Sequence, residues 1–192
     1  AVMMLNSGDI LLDRSYPEQA LKILSENPDF GFVHSDELYD DILIGEFVMK
    51  PLRVQGNLTP NIGRGMPYRH QTMVVRRIVY DKVGSFDLKY VTSDYDWTCR
   101  WEASLTGNGG SAYYFQGKPV VKMKGGGVSV TQEWKVMLEA VRIVRTHFPK
   151  NIEIKFSLFK RFILFVGREL LKWLQLGNIL SQLKRQKYQN DV

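Results

Sequence analysis

Apolar and polar residues change period several times along the chain, and the changes mark its elements. Val2-Met3-Met4-Leu5 is a continuous apolar run of strand length, and the turn-forming Asn6-Ser7-Gly8-Asp9 follows at once, so a short buried strand is expected. Ser15 with Glu18 three residues later has capping-box spacing, and Ala20, Leu21 and Leu24 then share a helical face up to Asn27-Pro28. Phe30-Gly31-Phe32-Val33 and the stretch from Ile42 to Met49 predict two further strands. Residues 50–69 are rich in Pro, Gly, Asn and Arg and predict a long loop, which in a compact domain is usually functional or mobile.

The second half reads more clearly. Thr72 to Val75 predicts a strand, and Arg77 to Val83 a short helix ending at Gly84, where a left-handed cap is expected. Ser93 is placed to cap a further helix, with Asp94 and Asp96 in its first turn, Trp97, Trp101 and Leu105 at i, i+4, i+8, and Gly107 at its end. Tyr113-Tyr114-Phe115 and Pro119-Val120-Val121 predict strands around a Gly-Lys turn. After Gly125-Gly126-Gly127, a helix from Thr131 carries Trp134, Met137, Val141, Val144 and Phe148 as one buried stripe. Strands mixed with helices around a long central loop predict an α/β domain.

Charge alters this picture only at one end. The 192 residues carry a formal charge of +6, yet residues 1–149 hold 17 Lys+Arg against 17 Asp+Glu. Residues 150–187 hold nine bases against two acids, so the body is neutral and the tail basic, which disfavours a nucleic-acid partner. From Phe156 to Gln175 the apolar Phe159, Phe162, Ile163, Val166, Leu170, Trp173 and Leu174 oppose Arg161, Arg168, Lys172 and Gln175. A basic segment from Leu183 to Lys187 follows. That composition fits a helix lying on an anionic membrane surface, and equally one that packs back on the domain. The boundary is accordingly placed between a body, 1–149, and a basic amphipathic tail, 150–192. The longest unbroken apolar run, residues 162–167, is far short of the ~18 residues of a membrane span. Cys99 is the sole cysteine, which excludes an internal disulfide framework, and a reducing cytoplasm is the expected compartment. Ala1-Val2-Met3-Met4-Leu5 begins inside an apolar segment, from which the chain is expected to be a piece of a longer polypeptide.

Three groups of residues are candidates for chemistry. Asp9 sits at the end of a predicted strand, where an α/β domain gathers ligands and a lone carboxylate holds a divalent cation together with phosphate oxygens; it also fits an Asp that merely closes a turn. Asp94 and Asp96 stand two positions apart at a helix start, where the dipole favours acids in any case. At that spacing they do not face each other, so at most one of them faces a cleft as a base while the other caps or orients. His70-Gln71 and the Gly125-Gly126-Gly127-Val128-Ser129 run complete the set, although the glycines do not have the spacing of a phosphate-cradling P-loop.

The order of these pieces resembles the second half of family 2 glycosyltransferases. Leu5-Asn6-Ser7-Gly8-Asp9, His70-Gln71 with Arg76-Arg77, Tyr80-Asp81-Lys82-Val83-Gly84-Ser85-Phe86-Asp87, Ser93-Asp94-Tyr95-Asp96-Trp97 with Arg100, and Gly126-Gly127-Val128-Ser129 carry the resemblance over residues 2–129. It implies a partial GT-A fold, lacking the N-terminal nucleotide-binding strands, and inverting transfer of a sugar from a nucleotide-sugar donor to a saccharide or lipid-linked acceptor. Bacterial cell-surface polysaccharide or lipopolysaccharide synthesis is the setting it implies. By the same resemblance Asp9 is the acid of a DXD-type motif for Mg or Mn, Asp94 the general base and Asp96 its support. His70, Gln71, Arg100, Gly126, Gly127 and Ser129 would border the substrates. Gly8 replaces an acid that many members carry, and Trp97 stands where processive synthases place a Gln before Arg100-Trp101, so single-sugar transfer is expected. The alternative is a non-catalytic remnant or a module that docks on membranes, at the inner face of the cell membrane.

Overall fold

Two small mixed sheets and the helices packed on them organise the chain. The structure, a computed structural model, describes residues 1–42, 44–52, 61–104 and 112–189. The first sheet has the order β1 (Val2–Met3), β6 (Val74–Val75), β3 (Phe32–Ser35), β7 (Ala112–Phe115); the second has the order β2 (Ile10–Leu11), β8 (Val121–Lys124), β4 (Glu37–Asp41), β5 (Gly45–Met49). The pairs β3–β7 and β4–β8 are parallel and the remaining pairs antiparallel. Only Asp36 separates β3 from β4, so the chain passes from one sheet to the other at a single buried residue, which accepts a hydrogen bond from the Tyr114 hydroxyl at 2.7 Å.

Strand alternation sorts the core. Val33 and Val74 point to one face of the first sheet, where α1 (Tyr16–Glu26) lays down Tyr16, Ala20 and Leu24. Phe32 and Val75 point to the other, against Val79 of α3 (Arg77–Val83) and Trp97 and Trp101 of α4 (Ser93–Ser104). A third cluster joins Tyr95 and Cys99 of α4 to α6 (Glu133–His147), α2 (Asn61–Arg64) and α7 (Ile152–Trp173). Short α5 (Val128–Thr131) precedes α6, and α8 (Gly177–Gln189) ends the described chain.

Several expectations need correction. Ser15 makes no side-chain cap; instead the Asp13 carboxylate accepts from the Ser15 N–H at 2.9 Å and its hydroxyl at 2.6 Å, so the acid that starts α1 lies two residues before the expected cap. The opening strand is an edge strand with Val2 39% exposed rather than buried, because β6 is its one neighbour. The strand expected from Ile42 to Met49 is present as β5 from Gly45, paired with β4, while Ile42 ahead of it is 80% exposed; β4 is not expected from the sequence because its acids hide the strand period. Within the expected long loop, residues 61–64 are helical and residues 53–60 lie outside the described residues, as do Leu105 and Gly107. The strand expected at Pro119 begins instead at Val121. Trp134 is half exposed, packing edge-on against Phe165 at 4.6 Å, and the buried face of α6 runs through Met137, Ala140, Ile143 and Val144.

The tail is partly body. Ile154, Leu158 and Phe165 of α7 share one hydrophobic cluster with Met137, Ala140 and Ile143, so apolar packing crosses the boundary expected after residue 149. Arg161, Arg168 and Lys172 turn towards this packed side, where Arg168 and Lys172 both reach Glu133 of α6. Phe159, Ile163, Leu170 and Trp173 face outward and are exposed. Among the described residues no helix is long and apolar enough to cross a membrane.

Candidate functional site

A cleft of about 310 Å³ opens between the second sheet and the start of α4. Its charged and polar wall is Glu37 of β4, Arg69, His70, Gln71 and Asp94, and its apolar wall includes Tyr39, Phe47, Tyr68 and Met123. The turn carrying His70 and Gln71 is fixed by Thr72, which is fully buried. The Thr72 hydroxyl donates to the carbonyls of Arg69, at 2.7 Å, and Ser35, at 3.1 Å, and accepts from the Ser35 N–H at 2.9 Å. The Tyr16 hydroxyl donates to the Thr72 carbonyl at 2.6 Å from the opposite side. The two cleft residues therefore rest on the buried end of β3 rather than on a free loop.

Asp94 enters the cleft from the first turn of α4, its carboxylate accepting from the Tyr95 N–H at 2.8 Å. Asp96, two residues on, is turned about 200° away by the helical period. It is 3% exposed, and it binds Arg100 Nε at 2.9 Å and His147 Nε2 of α6 at 3.1 Å. Arg100 in turn donates to the carbonyls of Val83 and Ser85, and Trp97 Nε1 donates to that of Gly84 at 3.0 Å. Gly84 has φ +86° and ψ 174°, a conformation essentially confined to glycine, so the expected glycine cap is present in a more extended form. The Val-Gly-x-Phe-Asp and Asp-Tyr-Asp-Trp stretches are thus joined as one clamp that holds α3 to α4. Asp96 and Arg100 belong to that clamp, beside a separate hollow with Asp87 and His147, and do not share the cleft of Asp94.

The remaining candidates divide. Asp9 closes its own turn, its Oδ2 accepting from the Asn6 N–H at 3.0 Å, and is half-buried. Its charge is felt at both Glu37 and His70, which places it near the cleft though not in its wall. Gly126 and Gly127 follow β8 beyond the cleft, Gly126 lying beside Ile42. Ser129 falls in α5, with its side chain outside the described residues. Among the described residues no three His, Cys, Asp or Glu side chains come together to hold a metal ion. Asp9, half-buried at the end of its turn, is the carboxylate expected to hold a divalent cation, and a lone acid there would fit a site whose other ligands are phosphate oxygens.

Sequence reasoning missed Glu37. It is 3% exposed, its Oε1 lies 3.7 Å from Arg69 Nη1, and its Oε2 has no hydrogen-bond partner among the described residues. Burial pushes its carboxyl up to about 7, with the Arg69 guanidinium pulling it down and the Asp9 charge adding to the rise. Burial holds the His70 imidazole below its ordinary range, against the pull of Asp94 and Asp9, so a neutral ring faces the cleft at pH 7. No local pattern singles out Glu37, which follows the polar His34-Ser35-Asp36.

The raised Glu37 value has a measurable consequence. Between pH 4.5 and about 7 the folded protein keeps a proton on Glu37 that the unfolded chain has released. The stability from this group is therefore complete below pH 4.5 and is lost as pH rises through about 7, by about 3 kcal/mol in total. Urea unfolding at pH 5 and pH 8 is expected to show this loss in the wild type and not in Glu37→Gln; equal slopes in the two proteins would contradict it.

No protein-family model matches this chain, and no curated protein matches it.

Proposed function

We propose that this chain is the acceptor-side part of an inverting, metal-dependent glycosyltransferase of the GT-A type, transferring a single sugar during bacterial cell-surface polysaccharide or lipopolysaccharide synthesis. The observation that carries the reading is the separation of the two acids of the Asp-Tyr-Asp stretch. Asp94 stands in a cleft with His70 and Gln71, while Asp96 is engaged in holding the helix. A base needs an open face and a fixed carboxylate, and Asp94 has both.

In this reaction the acceptor hydroxyl oxygen attacks the anomeric carbon of the donor sugar from the face opposite the diphosphate. The hydroxyl proton passes to the Asp94 carboxylate, and the bond electrons leave with the nucleoside diphosphate. One displacement inverts the configuration. His70, neutral at pH 7, and Gln71 orient sugar hydroxyls by hydrogen bonds, and Arg69 counters charge at the cleft wall. Asp9 would hold a divalent cation, Mg or Mn, which when bound would neutralise the departing diphosphate. Asp9→Asn is expected to raise the metal concentration for half-maximal transfer at least about tenfold while leaving the unfolding temperature in place. An unchanged metal requirement would remove Asp9 from the role.

The outward face of α7 supports membrane attachment of the same protein at the inner face of the cell membrane. Phe159, Ile163, Leu170 and Trp173 are exposed on a helix whose opposite face is already packed. Sedimentation with phosphatidylglycerol-rich vesicles is expected for the wild type and at least about fivefold weaker for Ile163→Ser/Leu170→Ser. Equal binding by both would exclude this face.

A further inference from the structure

A cavity of about 820 Å³ lies away from the Asp94 cleft, between α2, α6 and α7. Its wall brings four cationic side chains together: Arg64 of α2 and Lys160, Arg161 and Arg168 of α7. Among the described residues Glu133 is the one acid in the wall, and it is engaged by Arg168 at 3.2 Å and by Lys172 at 2.5 Å. Arg161 Nη1 is buried and has no hydrogen-bond partner among the described residues. Its guanidinium carbon lies 5.8 Å from the Tyr95 ring centroid, and burial lowers its affinity for the proton. A guanidinium N–H withdrawn from water without an acceptor is costly, and an anion placed against it removes that cost.

The rest of the wall is apolar: Leu52, Val136, Met137, Leu164 and Phe165. Leu164 is 74% exposed, so the apolar side of the cavity runs out to the surface beside the bare face of α7 with Phe156 and Ile163. The close crossing of α2 and α7 brings Arg64 into the group. A side chain at Gly63 would place its Cβ 2.3 Å from the Ile154 carbonyl, so only glycine lets Arg64 come this near the α7 bases. Arg64, Lys160 and Arg161 gather near the α2 crossing, with Leu164 and Phe165 about one turn further along α7, an arrangement that matches a ligand with an anionic head on an apolar chain.

We propose that this cavity binds a lipid phosphate, with its phosphate held by Arg161, Arg64 and Lys160 and its first isoprenoid or acyl units lying over Leu164 and Phe165. The proposal does not depend on the transferase reading, because it concerns binding at a site outside the Asp94 cleft.

Calorimetric titration of the full chain with farnesyl phosphate, farnesol and inorganic phosphate, each below any aggregation threshold, tests it without turnover. Farnesyl phosphate is expected to bind at least about tenfold more tightly than either of the others, and Arg161→Gln and Arg64→Gln are each expected to weaken it about tenfold. Arg64 is exposed, so its variant keeps the test valid if Arg161→Gln does not fold. Farnesol binding as tightly as its phosphate would mean an apolar groove only, and inorganic phosphate binding as tightly would mean a free-anion site. Either result, or no binding of farnesyl phosphate, overturns the proposal. Because no sugar is transferred in this titration, its failure leaves the transferase reading standing, and loss of transfer in an Asp94 variant leaves this one standing.

Discussion

Asp94→Asn is expected to lower sugar transfer about 10³-fold, with the unfolding temperature unchanged. The carboxylate lies in the cleft wall, and among the described residues it accepts a hydrogen bond from the N–H of the next residue, a contact the Asn oxygen reproduces. The substitution therefore removes a proton acceptor and little else. Substrate binding is expected to stay within about threefold of wild type, so the loss falls on kcat rather than KM. The assay uses the polypeptide as its source cell makes it. Transfer that survives the substitution would take Asp94 out of the role of base.

The opposite profile is expected two residues away. Asp96→Ala removes the acceptor shared by Arg100 and His147 and leaves a partly buried guanidinium tied only to the Val83 and Ser85 carbonyls. Breaking a buried pair by deleting one partner costs about 3 kcal/mol, which for a chain of this size lowers Tm by about 9 °C. The clamp between α3 and α4 loosens, and with it the Gly84 turn that Trp97 Nε1 holds. Thermal unfolding followed by circular dichroism measures the effect directly. A Tm within 2 °C of wild type would mean that Asp96 is not holding α3 to α4. Together the two variants separate an acid that acts on substrate from one that acts on the fold.

The spacing of those two acids was itself legible. Positions i and i+2 on a helix face different ways, which already limited the cleft to one of them, and the structure turns Asp94 inward to it. The sequence did not reveal that Asp96 and Arg100 would spend their charge on each other. That pairing depends on His147, 51 residues later, and on carbonyls of a turn whose shape Gly84 sets, and no local pattern reports either.

The same division holds for the fold. α1, α3, α4 and α6 follow from apolar spacing, with a glycine stop at Gly84 for α3, because each buries apolar residues against a sheet or a neighbouring helix. β4 was missed because Glu37, Asp40 and Asp41 interrupt its strand pattern. Glu37 is charged by type but buried by tertiary contact, and its environment comes from Arg69 and from the neighbouring sheet strands. The tail shows how a helical wheel misleads when both faces are used. Bases placed opposite an apolar stripe suggest solvent, yet here Arg161 and Arg168 line a cavity against α2 and α6, while Phe159, Ile163, Leu170 and Trp173 face outward and Phe162 and Val166 pack inward.

The central claim is a single displacement with Asp94 as base, and the stereochemistry of transfer tests it most directly. The natural polypeptide is incubated with a panel of nucleoside-diphosphate sugars, a divalent cation and lipid extract from its source cell, and the anomeric configuration of the product is read by proton NMR. The account predicts that one donor is consumed and that its sugar appears with inverted configuration. Retention of configuration, or no donor consumed above the level without protein, would contradict it.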